Sequence, residues 1–445
     1  MVFSRYIPIL FMRVVNTYKI PFSSQLTAKI LLWAQQFEEV VWLDSNAYQQ
    51  SHGTYLAILA VDALTAIQTD HFGAFDALNE YQTKTNDWLF GYLTYDLKNS
   101  VEQLHSKNHD GLQFPDLYFF QPKKVFLFSE NEVELHYLNM VDDELETDWN
   151  EILSTQLKNP SEEFNSETPV KIKVRTSKDS YFEKVTTMLQ HIERGDIYEA
   201  NFCQEFYSEA TKINPLRVFQ HLNSISHPPF AAFLKIKDRY ALSASPERYL
   251  QRKGDVVISQ PIKGTAPRLN DPGEDAAMVQ QLISDPKERS ENIMITDLVR
   301  NDLSRIAKKG SVEVEELCKI YSFEQVHQMI STITCKVDPE TSSVSILKNT
   351  FPMGSMTGAP KVSAMKIIEE LEDAKRGLYS GAVGYFAPNG DFDFNVIIRS
   401  ILYNADQDYV SYSVGSAITA KSIPENEYEE CLLKAKAMRE ALMHK

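Results

Sequence analysis

The spacing of apolar residues predicts one helix clearly in the second half of the chain. In SKDSYFEKVTTMLQHIERGD the apolar residues recur every three or four positions, at Phe182, Val185, Leu189 and Ile192. This spacing places them on one face of a helix. Asp179 or Ser180 is suited to cap the first turn, and Gly195 is suited to end the helix.

Alternating apolar and polar residues predict strands on both sides of this helix. The runs that follow it are FAAFLKI, RYALSAS, DVVIS, GAVGYFA and NVIIRSILY, and several alternate as a half-buried strand does. Before it, the β-rich runs WLFGYLTYDL and KVFLFS are interspersed with helical stretches such as TAKILLWAQQFEEV. The pattern predicts an α/β or α+β fold in which sheets are covered by helices.

One segment of different character divides the chain. Residues 142–168 are mostly acidic and polar, which is typical of a solvated connection. We therefore expect an N-terminal α/β region of residues 1–165 and a second region of residues 166–445.

Composition and charge exclude several classes of protein. The chain has 445 residues, of which 43% are hydrophobic and 24% are charged, a balance typical of folded globular proteins. Its formal net charge is −16, which argues against a nucleic-acid partner because phosphate backbones are bound by basic surfaces.

Two further features bear on location. The apolar run at residues 6–15 contains Pro8 and Arg13 and is far shorter than the roughly 20 residues that cross a bilayer, so no membrane partner is expected. The four cysteines show no paired spacing, which indicates a reducing, cytoplasmic compartment.

Two segments present paired glutamates at helical spacing. The first pair is Glu288 with Glu291, and the second is Glu427 with Glu430, followed four residues later by Lys434. Each pair shares one helix face, and two such helices facing each other would offer oxygen ligands suited to Mg²⁺. Spacing alone leaves open the alternative that both are solvated helix faces, with Glu430 and Lys434 an ordinary surface pair.

Two other segments carry candidate chemistry. FPMGSMTGAPKVSAM, from Phe351 to Met365, places small residues and hydroxyls before a helix that begins near Pro360. Such a helix start can hold a carboxylate through its N–H groups, although a simple capped helix is the alternative. In VVISQPIKGTAPR, Lys263 stands before Gly264 in a Pro-flanked turn. It is either a solvated turn residue or, if buried, a nucleophilic amine.

Seven blocks of sequence together resemble a known family. In order along the chain they are SASPERY, QPIKGTAPR, SENIMITDLVRNDLSRI, FPMGSMTGAPKVSAMKIIEELE, GAVGYF, NVIIRS and EYEECLLKA. Through them the chain, from about residue 170 to 440, is similar to the chorismate-binding enzymes. The resemblance implies two antiparallel sheets packed together with helices outside, and an N-terminal region that builds part of the same assembly.

Particular positions distinguish the branches of this family. Relatives that make anthranilate usually carry Ala at the position of Lys263, whereas aminodeoxychorismate synthases carry Lys. The isochorismate and salicylate branch uses a Lys to activate water where this chain has Glu199, which disfavours that branch. Glu199 also departs from the Gln common in aminodeoxychorismate synthases, and Ser416 and Ala417 replace glycines of the family's carboxylate cradle.

The resemblance implies the amination of chorismate at C4 to give 4-amino-4-deoxychorismate. Lys263 would attack C2 while Glu247 protonates the departing C4 hydroxyl, and ammonia would then enter at C4 and expel the lysine. The implied Mg²⁺ ligands are Glu291 and Glu430, supported by Glu288 and Glu427. The implied substrate ligands are Arg399, Lys434 and the Gly415 backbone, with Ser355 and His327 near the ring; for His327 a packed helix histidine is the alternative.

Partners and rival functions also follow from the resemblance. Ammonia is expected from a separate glutamine amidotransferase, because the 445 residues are filled by the synthase alone. The nearest rival is anthranilate synthase component I, which would aminate C2 and eliminate pyruvate. A non-catalytic subunit that only activates an amidotransferase is a second rival, and the presence of Glu247, Lys263, Glu291 and Glu430 argues against it.

Overall fold

The computed structural model describes residues 12–48, 52–157 and 170–443, so the boundary predicted at residue 165 lies outside the described residues. The helices are α1 (Ser24–Ala34), α2 (Ala74–Thr85), α3 (Lys98–Val101), α4 (Leu145–Ser154), α5 (Lys178–Glu193), α6 (Pro215–Ser226), α7 (Pro272–Ser284), α8 (Pro286–Ser304), α9 (Ser343–Thr350), α10 (Lys361–Leu371) and α11 (Pro424–Met443). Among the described residues, no helix combines the length and the apolar character needed to cross a membrane.

The strands come from both halves of the chain. The first seven are β1 (Arg13–Lys19), β2 (Glu39–Asp44), β3 (Ala57–Thr69), β4 (Leu89–Leu93), β5 (Leu117–Phe128), β6 (Glu132–Leu138) and β7 (Lys173–Val174). The next seven are β8 (Glu199–Ser208), β9 (Phe230–Ile236), β10 (Arg239–Ser245), β11 (Arg248–Lys253), β12 (Val256–Gln260), β13 (Ile262–Pro267) and β14 (Glu313–Ser322). The last six are β15 (Val326–Lys336), β16 (Gly358–Ala359), β17 (Ala382–Phe386), β18 (Phe392–Val396), β19 (Ser400–Asn404) and β20 (Tyr409–Thr419).

The strands form two arms of one antiparallel sheet. In the first arm the hydrogen-bonded order is β8, β20, β19, β10, β9, β2 and β3. In the second it is β5, β4, β17, β18, β11, β12 and β15. The arms join where β3 pairs with β5. The predicted antiparallel core with helices outside is confirmed, and the two predicted sheets are hydrogen-bonded to each other. Early strands pair with late ones, as β2 with β9 and β4 with β17.

Two hydrophobic clusters hold the arms and helices together. One contains side chains from both arms, such as Leu234 of the first and Phe394 of the second. The other joins the first arm to the helices outside it, through residues such as Tyr181 of α5 and Met438 of α11. Helix α8 packs on β13 and β15, and α11 packs on β20. The two helices with paired glutamates are therefore anchored to different parts of the sheet.

The helix predicted from apolar spacing is α5, but its cap differs from the prediction. The side chain of Ser177 accepts a hydrogen bond from the Ser180 N–H, so Ser177 is the N-cap, and Asp179 and Ser180 belong to the first turn. Gly195 ends the helix as predicted, with φ of 82° and its N–H donated to the Ile192 carbonyl.

The predicted strand NVIIRSILY is interrupted in the structure. β18 ends at Val396 and β19 begins at Ser400. Between them Ile397 exchanges backbone hydrogen bonds with Gly381 and Ser380, and Arg399 has φ of 53°. Because this conformation cannot continue a strand, Arg399 lies in a break between β18 and β19 rather than in one continuous strand.

Candidate active site

Lys263 lies in a bulge of strand β13, not in the predicted turn. β13 pairs with β15, and the register shifts between Ile262 and Thr265, where Lys263 and Gly264 stand. Gly264 has φ of 96°, a conformation that glycine adopts without strain. The side-chain N–H of Asn292 on α8 donates to the Lys263 carbonyl at 3.2 Å. The bulge and this hydrogen bond together fix the position from which the lysine side chain extends.

Glutamates surround the Lys263 ammonium group. Its Nζ lies 3.4 Å from Glu291 Oε2. Burial disfavours the charged ammonium, but the carboxylates of Glu199, Glu291 and Glu430 outweigh burial, and the pKa of Lys263 is raised above its ordinary value. In this arrangement Lys263 is a charged partner of the glutamates, whereas a nucleophilic amine must be unprotonated.

Glu247 has the properties of a general acid. It lies between β10 and β11, is only 5% exposed, and accepts a hydrogen bond from Ser355 Oγ at 2.6 Å. Burial raises the pKa of Glu247 to about 7, against the opposing effects of the Ser355 hydrogen bond and the Lys263 charge. A carboxyl group that is still half protonated near neutral pH can give its proton to a leaving group.

Two buried cations hold the loop that carries Ser355. Lys361 Nζ donates to Asp302 Oδ2 at 2.6 Å and also to carbonyl oxygens at the start of the loop. The Arg376 guanidinium donates to the Met356 carbonyl at 2.6 Å. Breaking a buried pair of this kind is strongly destabilising, so these contacts keep Ser355 in register with Glu247.

Glu199 brings a partly unsatisfied carboxyl group to the site. It begins β8, is 3% exposed, and its Oε2 is buried with no hydrogen-bond partner among the described residues. Burial raises the pKa of Glu199 to about 7, with the Lys263 charge acting against burial and the Glu291 charge acting with it. A Cβ at Gly358, in the paired strand β16, would lie 2.2 Å from the Glu199 carbonyl oxygen. Only glycine therefore allows this close pairing.

The predicted glutamate pairs lie on α8 and α11, with Lys287 between the helices. Lys287 Nζ is 3.9 Å from Glu291 Oε1 on its own helix and 4.0 Å from Glu427 Oε1 on α11. Glu430 pairs with Lys434 at 2.6 Å. We call Glu288, Glu291, Glu427 and Glu430 the glutamate cluster.

The glutamate cluster fits a hard divalent cation in its chemistry. Among the described residues, no three acidic, His or Cys side chains converge closely enough to hold a metal as they stand. However, Glu291 Oε1 is buried without a hydrogen-bond partner in the described part of the chain. Burial, and then the Glu291 charge, raise the pKa of Glu288. Mg²⁺ prefers oxygen ligands such as carboxylates. A buried carboxylate oxygen without a hydrogen-bond partner is suited to bind it.

The predicted carboxylate cradle lies on β20 and contacts α11. A Cβ at Gly415 would lie 2.5 Å from Asn201 Oδ1, so a larger residue there would have to displace the Asn201 side chain. Lys434 Nζ donates to the Gly415 carbonyl at 2.8 Å. Ser416 donates a hydrogen bond from Oγ to Glu427 Oε2. The departure from glycine at Ser416 therefore supplies a hydroxyl that orients one carboxylate of the glutamate cluster.

Arg399 occupies the break between β18 and β19. Burial lowers the pKa of Arg399, and the charges of Tyr379 and Glu430 act in the opposite direction. A desolvated guanidinium gains strongly from a carboxylate that reaches it.

His327 is a packed histidine, only 1% exposed, but it lies in strand β15 and not in a helix. Its Nδ1 contacts Ser322 Oγ at 2.8 Å, and its Nε2 contacts Asp275 Oδ1 at 2.9 Å. Hydrogen bonds from the Leu269 N–H and from His327 lower the pKa of Asp275 to about 2. Both ring nitrogens are thus engaged by protein side chains, and contact of His327 with a substrate stays a prediction.

Several residues that shape the site were not predicted from the sequence. They are Asn292, Lys287, the Lys361–Asp302 pair and Arg376. Each acts through a contact with a residue distant in the chain, such as Lys361 with Asp302, 59 positions away. For these residues the sequence offered one signal, the charge of Lys361 beside a predicted helix start. The spacing of residues did not identify Asp302 as its partner.

Comparisons with known proteins identify the family to which this chain is similar. The family model described as chorismate binding enzyme matches residues 38–440, which include most of the N-terminal region. The anthranilate synthase component I-like protein of Synechocystis sp. is 36% identical over 358 residues, 80% of this chain and 72% of that protein.

Two further similar proteins represent both amination reactions. Aminodeoxychorismate synthase component 1 of Bacillus subtilis is 32% identical over 363 residues, 79% of this chain and 76% of that protein. The crystal structure of anthranilate synthase component I from Streptococcus pneumoniae aligns with a TM-score of 0.74 at 27% identity, covering 88% of this chain and 95% of that chain.

Proposed function

The chain belongs to the chorismate-binding enzyme family, and from this premise we propose that it catalyses the reaction of an aminodeoxychorismate synthase component I. The reaction converts chorismate and ammonia into 4-amino-4-deoxychorismate, a precursor of 4-aminobenzoate and folate. The observation that carries the proposal is that one site holds both a lysine in the bulge of β13 and a buried carboxyl, Glu247, whose pKa is raised to about 7 and is influenced by the charge of that lysine.

The hydroxyl at C4 is a poor leaving group, and Glu247 improves it by giving it a proton. The Lys263 amine forms a bond to C2, both double bonds of the ring diene shift by one position, and the C4–O bond breaks. The hydroxyl departs as water with the proton of Glu247. Ser355 holds the Glu247 carboxyl toward the site through its 2.6 Å hydrogen bond and stabilises the carboxylate that remains.

Ammonia then completes the exchange. Its lone pair attacks C4, both ring double bonds shift back, and the C2–N bond breaks, which returns Lys263 as a free amine. Covalent catalysis of this kind divides one difficult displacement into two easier ones. Before attack, Lys263 must leave Glu291 and lose a proton, because its ammonium has no lone pair.

The remaining residues bind and orient the substrate. Bound Mg²⁺, held by Glu291 and Glu430 with Glu288 and Glu427 in support, would supply positive charge for the ring carboxylate. Arg399 and Lys434 provide further positive charge for carboxylates, and the Gly415 backbone is the proposed third contact. His327 would lie near the ring.

A separate glutamine amidotransferase is the proposed source of ammonia, and the cytoplasm is the proposed location. The printed name "component 1" of the Bacillus subtilis relative supports a partner subunit. Anthranilate synthase component I is the second candidate, because the Synechocystis relative and the Streptococcus pneumoniae structure carry that name. Lys263 favours the first candidate.

Product identification tests this choice. The purified chain is incubated with chorismate, Mg²⁺ and an ammonium salt, and the products are separated by chromatography. We expect 4-amino-4-deoxychorismate. Anthranilate with an equal amount of pyruvate would establish the second candidate, and unchanged chorismate would favour a non-catalytic subunit.

A further inference from the structure

Lys287 is the one residue whose ammonium lies within 4.0 Å of glutamates from both helices of the cluster in the described part of the chain. It follows the first residue of α8, and its side chain is 46% exposed. Its contact with Glu291 is an ordinary pair within one helix, but its contact with Glu427 crosses to α11. The second contact gives the lysine a position between the two helices that a surface pair does not have.

The carboxylates that Lys287 approaches are otherwise incompletely satisfied. Glu291 Oε1, the atom 3.9 Å from Lys287 Nζ, is buried and has no hydrogen-bond partner among the described residues. Glu427 is 2% exposed, and Ser416 holds its other oxygen. Buried carboxylates in this state need a cation nearby, and Lys287 supplies one.

Lys287 also differs from the second lysine of the site. Lys263 extends from the bulge of β13, where Asn292 anchors its backbone. Lys287 reaches the glutamates from the solvent side on a flexible four-carbon stem. It can therefore move into solvent without disturbing the sheet.

We propose that Lys287 is a tethered cation of the glutamate cluster in the metal-free protein, and that a divalent ion displaces its ammonium group on binding. The inference rests on the metal site of the proposed function, but it does not depend on which product the enzyme makes. Since Glu291 and Glu427 would serve both cations, the lysine competes with the metal and lowers its affinity.

Direct metal binding tests the proposal without any turnover. Mn²⁺ is titrated into the full chain in the absence of chorismate, and the free ion is counted by electron paramagnetic resonance. We expect Lys287→Gln to lower the Kd for Mn²⁺ by roughly three- to tenfold, the range of a partly screened ion pair. Lys287→Arg keeps the charge and should bind Mn²⁺ as the wild type does.

Arg300→Gln is the matched control. Arg300 pairs with Asp297 near the other end of α8, so this variant removes one positive charge from the same helix at a distance from the cluster. It should leave the Kd unchanged, whereas a general effect of net charge would change both glutamine variants alike and overturn the proposal.

Thermal unfolding in a chelator gives a second measurement. Lys287→Gln should lower the Tm of the metal-free protein, because the carboxylates lose a counter-charge, and should enlarge the rise in Tm that Mn²⁺ produces. Equal or weaker Mn²⁺ binding by Lys287→Gln would overturn the proposal. If the wild-type chain binds no Mn²⁺, the proposal fails together with the metal site, while the product assay still decides the reaction.

Discussion

At the scale of single residues, the buried carboxyl groups of Glu247 and Glu199 differ in their hydrogen bonds. Glu247 has a hydrogen bond from Ser355, whereas Glu199 Oε2 has no hydrogen-bond partner among the described residues. Both have a pKa of about 7 because burial disfavours their charged forms. The hydrogen bond positions Glu247 to act as an acid. Among the described residues Glu199 Oε2 has no such bond, so its ionised form destabilises the folded chain.

The pH dependence of turnover tests the role of Glu247. Free ammonia must be held constant at each pH, because the ammonium equilibrium would otherwise raise the rate with pH. The step needs Glu247 with its proton and Lys263 without one, and the pKa of Lys263 is the higher of the two, so kcat/KM for chorismate should rise as pH approaches about 7 and then level off. The Ser355 hydrogen bond lowers the pKa of Glu247, so Ser355→Ala should move this rise to higher pH. A rise at the same pH in both proteins would contradict the assignment.

Protein stability tests the description of Glu199. The folded chain takes up a proton on Glu199 near pH 7, whereas the ordinary pKa of a glutamate is 4.5. Between these values the folded state binds more protons than the unfolded state, so its stability falls as pH rises. Glu199→Gln carries no charge and should be more stable than the wild type at pH 8 by about 1–3 kcal/mol, with little difference at pH 4.5.

Chemical denaturation of the metal-free protein at the two pH values measures this difference. The exposed Glu193, at the end of α5, provides the control, and Glu193→Gln should change stability little at either pH. A Glu199→Gln protein that is less stable than the wild type at pH 8 would show that the carboxylate is stabilised by a partner.

At the scale of secondary-structure elements, the site depends on the packing of α8 and α11. The i, i+3 spacing of Glu288 with Glu291, and of Glu427 with Glu430, predicted which carboxylates share a helix face. That Lys287 reaches Glu427 could not be predicted, because the contact joins positions 140 apart through tertiary packing.

Substitutions on the two helices test the metal site. Glu291→Gln or Glu430→Gln should each abolish most activity and leave the circular dichroism spectrum unchanged, because a site with few protein ligands cannot spare one. Glu288→Gln and Glu427→Gln should raise the Mg²⁺ concentration needed for half-maximal rate by roughly tenfold, as supporting residues do. Near-normal turnover of Glu430→Gln at limiting Mg²⁺ would refute the paired-helix site.

Some elements were predictable from local pattern and others were not. FAAFLKI and RYALSAS are β9 and β10 with the predicted bounds, because alternation reflects the two faces of a sheet. The bulge at Lys263 and the break at Arg399 were missed, since both depend on the pairing partners of a strand. The bulge and the break, which the sequence did not predict, are the features that carry Lys263 and Arg399.

At the scale of the whole molecule, one continuous sheet ties the candidate site to the N-terminal strands. β4 pairs with β17, and β2 pairs with β9, so the strands before residue 158 and those after residue 169 share one core. The sequence blocks of the second region predicted the family and the antiparallel class. The joining of the two arms through β3 and β5 was not predictable, because it lies outside those blocks.

The source of ammonia is a property of the whole chain. The purified protein should aminate chorismate with an ammonium salt at raised pH, where more of the salt is free ammonia, and should not do so with glutamine. Chromatography of the products with each nitrogen source checks this. Glutamine-dependent turnover by the highly purified chain would contradict the proposed division of labour with a separate amidotransferase.

The central claim is that Lys263 bonds covalently to the substrate, and the mass of the protein tests it most directly. The chain is incubated with chorismate and Mg²⁺ in the strict absence of ammonia, then quenched, weighed intact and digested. A fraction should carry the added mass of chorismate less water on the peptide that contains Lys263, and Lys263→Ala should carry none and lose much of its aminodeoxychorismate formation. An unmodified wild-type chain, together with an alanine variant that turns over at the wild-type rate, would show instead that ammonia attacks chorismate directly.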